Sequence, residues 1–276
     1  MTTLETREQG ITIKYINKLK SLSDILQNFK QITLAEMDNV KLMNRVDTKY
    51  MVSLDQLSEI LDCIHGRYYV QSNNDTRIAR YNTLYYDTPD VQMYIAHHNR
   101  KLNRQKLRSR IYVDSGDAFC EVKTKNNKGR TKKKRVQIPL ADFNNMLETP
   151  ETRDFVREYL KYDVDGLIPQ LENSFDRITL VNYEKTERLT IDMNINLINR
   201  VTGKSAYIPN LVIMELKQDG LCKSYFRDVL LDLRIKSKRI SKYCLGTMLT
   251  NPNVKINRFR TKIRYIEKLC NTNINI

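Results

Sequence analysis

Between residues 104 and 123 the chain places Lys106, Arg108 and Arg110 at alternate positions, with Leu107, Ser109 and Ile111 between them. Successive side chains of a strand point to opposite faces, so the three cations line one face and the mostly apolar set lines the other. Asp114, Ser115, Gly116 and Asp117 supply turn chemistry. The returning stretch sets Phe119, Glu121 and Lys123 against Cys120 and Val122. The chemistry these residue types could do is to grip an anion. Arginine offers a bidentate fork to phosphate or carboxylate oxygens, and lysine adds a point charge. A solvated sheet face is the ordinary explanation of a charge run, but here the pattern recurs on several other strand-like stretches.

Those stretches follow the chain in order. Residues 43–52 read as a strand with Arg45, Asp47 and Lys49 on one face and Val46, Thr48 and Tyr50 on the other. Residues 77–87 alternate Tyr81, Thr83 and Tyr85 with Asn82, Leu84 and Tyr86. At 128–138, Lys133 and Arg135 alternate with Lys132 and Lys134, and one of the two sets joins the ladder. Strands at 171–182, 186–197 and 210–218 align Phe175 with Arg177, Arg188 with Thr190 and Asp192, and Glu215 with Lys217. Tyr68–Val70 is a short strand.

Helices separate these strands. The spacing of Ile16, Leu19, Leu22, Ile25, Leu26 and Phe29 predicts an amphipathic helix over 15–30. Thr33 with Glu36, and Ser53 with Gln56, are capping boxes; the second opens a helix burying Leu57, Ile60, Leu61 and Ile64. Asp87 or Thr88 caps a helix with Pro89 near its first turn, in which His97 and His98 point apart as surface or supporting residues. Further helices are expected over 141–162, broken near Pro150, and over 222–233, 241–249 and 258–270. No internal repeat occurs and no linker demands two domains, so a single domain over 1–276 is expected.

Composition bounds the partners. A hydrophobic fraction of 41% with only 8 Gly and 6 Pro excludes a disordered or collagen-like chain. The net charge of +15, from 47 Lys+Arg against 32 Asp+Glu, calls for a polyanion: nucleic acid, anionic membrane or polyphosphate. Five scattered cysteines without a C-x-x-C pair argue against a disulfide framework or zinc site. With Glu5, Arg7 and Glu8 early and no apolar run of roughly 18 residues, neither a signal peptide nor a spanning helix is expected. The expected location is the cytoplasm.

Arg45-x-Asp47-x-Lys49-Tyr50, Lys106-x-Arg108-x-Arg110, Glu121-x-Lys123, Glu187-Arg188-x-Thr190-x-Asp192, Glu215-x-Lys217 and Ser241-Lys242-Tyr243 occur in that order. In these residues the chain resembles the VTC domain, the polyphosphate polymerase branch of the triphosphate tunnel metalloenzymes, from about 31 to 250. The resemblance implies an α+β fold, an eight-stranded antiparallel β-barrel around a charged tunnel with helices packed outside. It implies transfer of the γ-phosphoryl group of ATP to inorganic polyphosphate with Mn²⁺ or Mg²⁺. Matching motifs place phosphate-binding cations at Lys49, Arg108, Arg110, Lys123, Lys133, Arg177, Arg188, Arg239 and Lys242. Arg45, Lys106, Lys217 and Ser241 join them as substrate-binding residues, and Glu215, with Glu121, as metal carboxylates. Lys49, Arg108, Arg110, Lys123, Arg177 and Arg188 are expected to converge on one cavity.

Two departures bear on activity. Hydrolytic relatives open with E-x-E-x-K, where this chain has Arg45 and Asp47, which favours polymerase over triphosphatase. Phe175 stands where eukaryotic polymerases carry Tyr, and Arg239 where they carry Lys. The alternatives are a tunnel triphosphatase and a non-catalytic polyphosphate- or RNA-binding module. RNA readers interleave exposed aromatics with basic residues, whereas Tyr50, Tyr81 and Tyr85 read as core-facing, so no nucleic-acid partner is expected.

Overall fold

The computed structural model describes residues 18, 20–37, 45–220 and 222–274. Ile16, Leu19, the early Glu5, Arg7 and Glu8, and the start of the strand expected from 43 lie outside the described residues. A first helix, α1, occupies 20–27 and buries Leu22 and Leu26. After β1 (Lys30–Ile32), Thr33 opens α2 (Leu34–Met37) with its capping box made in both directions, Thr33 N–H to Glu36 Oε2 at 2.8 Å and Glu36 N–H to Thr33 Oγ1 at 3.3 Å. β2 (Arg45–Val52) leads into α3 (Leu54–Ile64), where Ser53 and Gln56 close the second box at 3.2 and 3.1 Å.

β3 (Tyr68–Gln71) and β4 (Ala79–Asp87) follow. The next helix, α4 (Gln92–His98), starts later than Pro89 suggests. Thr88 Oγ1 accepts the Gln92 N–H at 2.9 Å and the Asp87 carboxylate accepts those of Met93 and Tyr94, both at 2.9 Å. Val91 takes a left-handed φ of 53°, so the chain turns before the helix begins. His98 is not a surface residue: it is buried, edge-on to Phe259 and stacked near Tyr94. Tyr94 lies one helical turn before it, but Phe259, which closes over its edge, lies far along the chain and leaves no local signal.

β5 (Arg104–Tyr112) and β6 (Asp117–Lys125) form a hairpin whose turn places Gly116 at φ 73°, with its N–H bonded to Tyr112 O at 2.9 Å. β7 (Thr131–Ile138), α5 (Pro150–Tyr159), β8 (Ile168–Asn182), β9 (Glu187–Asn199), β10 (Ser205–Tyr207) and β11 (Val212–Asp219) come next. Then α6 (Tyr225–Asp232), α7 (Lys242–Thr250) and α8 (Arg260–Cys270) complete the chain. The eight main strands are hydrogen-bonded in the order β2-β11-β9-β8-β4-β5-β6-β7, the α+β strand layout expected.

The chain divides into two compact units. Of the described residues, the first comprises those up to 78 with 177–194 and 209–239, and the second 79–176, 195–208 and those from 240 on. β8 and β9 each give one part to either unit. In the first unit, Tyr50, Val52, Leu189, Ile191, Met214 and Leu216 turn one strand face onto α3 and α6 in a single apolar core. In the second, Leu84, Leu107, Cys120, Val122 and Ile138 do the same beneath α5. In each unit the sheet therefore has a dry face, and the alternation of its strands forces the intervening residues onto the other.

α7 buries nearly its whole circumference, and Gly246 is the point of closest approach. A Cβ there would lie 2.4 Å from Leu171 Cδ2 and 2.9 Å from Leu197 Cδ2. Leucine tips can swing aside for one methyl group but not for a branched side chain. Gly246→Ala should therefore stay within about 1 kcal/mol of wild type, helped by helix propensity, whereas Gly246→Leu should lose about 2–3 kcal/mol to overpacking in a urea melt.

Candidate functional site

In the second unit the register across β5, β6 and β7 aligns charges in rows. Lys106 lies opposite Lys123, and Lys123 opposite Lys133, three cations side by side. The neighbouring row is Arg108, Glu121 and Arg135, and the one beyond it Arg110, Phe119 and Gln137. Like charges directly opposite on a sheet destabilise it, so the position of the carboxylate between two arginines matters. Glu121 has no exposed surface, and Arg108 and Arg110 retain only 6% and 7%. Arg108 donates from both Nε (2.7 Å) and Nη2 to Glu121 Oε2, while Lys133 Nζ reaches Oε1 at 3.2 Å. Burial alone would raise the Glu121 carboxyl; Arg108, Arg110, Lys123 and Lys133 outweigh it and hold it well below the usual carboxylate range.

Aromatic side chains steer the same cations. Arg108 Nη1 lies 3.4 Å from the Tyr85 hydroxyl, and Tyr85 packs on Tyr243 with ring centroids 5.0 Å apart. Tyr243 donates its hydroxyl to Asp87, which is itself fixed by backbone N–H groups of α4. Burial would raise the Tyr85 phenol, but the surrounding Arg108, Lys106 and Arg110 bring it below its ordinary value. Arg110 Nε donates to Thr83 Oγ1 at 3.1 Å. Its guanidinium carbon lies 5.5 Å from the Tyr81 ring centre and 5.7 Å from that of Phe175. Phe175 stacks with Tyr81 at 5.2 Å and also carries Lys242, whose Nζ is 3.6 Å from its ring centre. The missing hydroxyl of Phe175 therefore leaves a cation–π seat. Ser241 caps α7 and accepts from Lys106 Nζ at 2.7 Å, which brings two of the expected residues together.

The first unit carries its own charged face. Lys49 lies directly opposite Glu215, and Lys217 opposite both Asp47 and Arg188. Glu215 takes Lys49 at 3.2 Å and Lys217 at 3.5 Å, one to each oxygen. Arg177 grips Asp192 bidentately at 2.5 and 2.8 Å. Arg45 pairs with Asp47 on its own strand at 2.7 Å, and Arg188 reaches the carbonyl of Met37 at 3.4 Å. Burial lowers Lys217 to about 8, Glu215 opposing it and Arg177 adding to it. Arg239 is exposed, at the end of a segment tied to β2 by Lys238 N–H to Lys49 O at 2.7 Å.

The family model for the VTC domain matches residues 44–251, three quarters of the chain and every strand of these two faces. The chain belongs to the VTC domain family. The sequence matches none of the curated proteins. Among solved structures, a candidate adenylate cyclase from Bacillus halodurans is similar at 16% identity and TM-score 0.48, covering 79% of this chain and 99% of its own. A candidate adenylyl cyclase from Hippeastrum with a dominant triphosphatase activity is similar at 13% identity and TM-score 0.45, covering 74% and 95%. No activity carries across at those identities.

Within this VTC domain the register also corrects the sequence reading of two tyrosines. Tyr81 and Tyr85 lie on the charged face, opposite Tyr112 and Arg108, not in the apolar core; only Tyr50 is core-facing. β4 carries aromatic or apolar side chains on both faces, so alternation could not choose between them. Arg135 falls in the row of Arg108 and Glu121, which resolves the choice left open between the two basic sets of β7. Tyr85 and Tyr243 pack beside Arg108, where their lack of charge hid them from a reading of charge spacing.

Metal ligands are sparse. Among the described residues no three His, Cys, Asp or Glu side chains form a group that could hold an ion. Both glutamates have each oxygen near a cation, but Glu121 is fully buried between Arg108 and Lys133, whereas the Glu215 side chain keeps 21% of its surface. One such carboxylate suits a hard divalent ion that takes its remaining ligands from phosphate oxygens and water.

Removing the Glu121 charge strands Arg108 in a buried position. Glu121→Gln should cost about 3–5 kcal/mol by urea denaturation at neutral pH. Because the folded carboxyl titrates below the unfolded one, this contribution is complete above about pH 5 and shrinks as acid protonates the unfolded chain. The gap between wild type and Glu121→Gln should therefore narrow below about pH 4, and a constant gap would mean that Glu121 is not held ionised by its neighbours.

Proposed function

We propose that this protein is a polyphosphate polymerase, transferring the γ-phosphoryl group of ATP to the end of a growing inorganic polyphosphate chain. The observation that carries the reading is the row of buried and half-buried cations on β5, with Arg108 and Arg110 held in place by Glu121, Tyr85 and Thr83. Phosphoryl transfer asks little covalent chemistry of a protein. It asks for positioning and for charge on the equatorial oxygens.

Arg108 and Arg110 are two residues apart on one strand, about 6–7 Å along its axis, and grip neighbouring phosphoryl groups of one triphosphate. Lys106, Lys123, Lys133 and Lys242 add charge around them, with Ser241 orienting Lys106. In the first unit Lys49, Lys217, Arg177 and Arg188 bind phosphate oxygens in the same manner, with Arg45 and the exposed Arg239 contributing long-range attraction. A terminal oxygen of the acceptor chain attacks the γ-phosphorus, the bond to the β-phosphate oxygen breaks, and ADP leaves; no side-chain nucleophile is needed. Glu215 would hold a Mn²⁺ or Mg²⁺ ion, which when bound neutralises charge on the phosphate oxygens.

Purified protein given ATP and Mn²⁺ should make long polyphosphate. Release of free phosphate instead would identify a triphosphatase, and neither product a binding module. Arg108→Ala and Arg110→Ala should each lose about 30- to 1000-fold in synthesis, as expected for a contact strengthened in the transition state. Arg108→Ala also lowers stability by leaving Glu121 buried without its arginine, so its rate is read below its own melting transition. Arg→Lys at either position should recover only part, since one ammonium cannot replace the fork. The exposed Lys20→Ala should leave the rate unchanged. Glu215→Gln should abolish divalent-ion dependence while phosphate binding survives, and unchanged Mn²⁺ activation would move the metal to another acid.

A further inference from the structure

The proposed reaction does not use the other side of β7. From residue 123 to residue 135, eight of thirteen residues are Lys or Arg and none is acidic. On the charged face of the sheet Lys133 is engaged with Glu121, and Arg135 lies over Phe119, 4.6 Å from its ring centre. Lys132 and Lys134 point the opposite way, in register with Thr124 and Val122, and both are exposed. Lys134 Nζ lies 5.1 Å from the ring centre of Tyr159 on α5, so its aliphatic stem is supported while its charge faces water.

The turn joining β6 to β7 continues this second set. Asn126 orders it, its N–H donating to Arg130 O at 3.0 Å and its Oδ1 accepting the Arg130 N–H at 3.0 Å. Lys128 and Arg130 are exposed on that ordered turn. β7 ends the hydrogen-bonded strand order, and lysines commonly guard such an edge against pairing. Edge protection needs a few charges on the strand. It does not account for cations on both sides of it and around a fixed turn, with no acidic residue in the stretch from 123 to 135.

We propose that Lys128, Arg130, Lys132 and Lys134 form a second polyanion track, on the side of β7 away from the charged face, that holds the already-formed part of a linear polyphosphate chain. Alternate strand residues stand about 6–7 Å apart, a repeat that a flexible chain of singly charged phosphates can follow. A chain gripped on the charged face needs only to pass the edge of β7, which among the described residues pairs with β6 alone, to reach these residues. The inference rests on the polyphosphate reading for its ligand. It predicts that affinity grows with chain length, because a short anion cannot occupy both sides of the strand.

The test is equilibrium binding without ATP, comparing tripolyphosphate with long-chain polyphosphate for wild type and for Lys128→Ala, Arg130→Ala, Lys132→Ala and Lys134→Ala combined. Thermal melts check that the variant folds, and a variant with Lys132→Ala and Lys134→Ala alone replaces it if the turn proves essential. The long chain should bind the variant roughly ten- to hundredfold more weakly at physiological salt, with a salt slope smaller by about 3. Tripolyphosphate affinity should be unchanged. Equal weakening of both ligands, weakening of neither, or a loss confined to anionic phospholipid vesicles or RNA would each overturn the track. Because no turnover is measured, a protein that makes no polyphosphate would fail the polymerase reading and still give a clear answer here.

Discussion

Glu121 is the constraint on which the second unit's charged face depends. Cations crowded on one sheet face repel, and the fold tolerates them by placing one carboxylate, fully buried, between Arg108 and Lys133. A buried pair of this kind gains little net stability over an apolar one, but breaking it is costly. What it secures is direction. With Nε and Nη2 of Arg108 given to Glu121 and Nη1 close to Tyr85, the guanidinium cannot turn away and stays on the charged face beside Lys106 and Arg110.

The first unit solves the same problem with different residues. Arg177 is clamped by Asp192, and Glu215 is shared between Lys49 and Lys217, less buried and more loosely held. That contrast separates the two glutamates. Glu121 is closed around its arginine, while Glu215, with a lysine near each oxygen, is partly exposed. Aromatic rings take the place of further carboxylates: Phe175 beneath Lys242, and Tyr81 beside Arg110, stabilise positive charge without neutralising it.

Much of this was legible along the chain. Strands with one charged and one apolar face, such as β2, β5 and β11, declare themselves by alternation, and the Ser53–Gln56 box marks the start of α3 to the residue. The motif order pointed to the family that the match over 44–251 establishes. What could not be read was set by register and by distant partners. Nothing local distinguishes the two faces of β4, so alternation alone puts Tyr81 and Tyr85 in the core rather than on the charged face. His98 gains its burial from Phe259, more than a hundred residues away, and Glu121 its arginine only when β5 and β6 align.

The most direct test of this account is a crystal structure of the protein with tripolyphosphate bound. Its phosphates should lie against Lys106, Arg108 and Arg110, with Arg108 still paired to Glu121. Tripolyphosphate bound elsewhere, with the β5 face empty, or Arg108 swung away from Glu121 to reach it, would contradict the claim that this buried pair prepares the face for a phosphate chain.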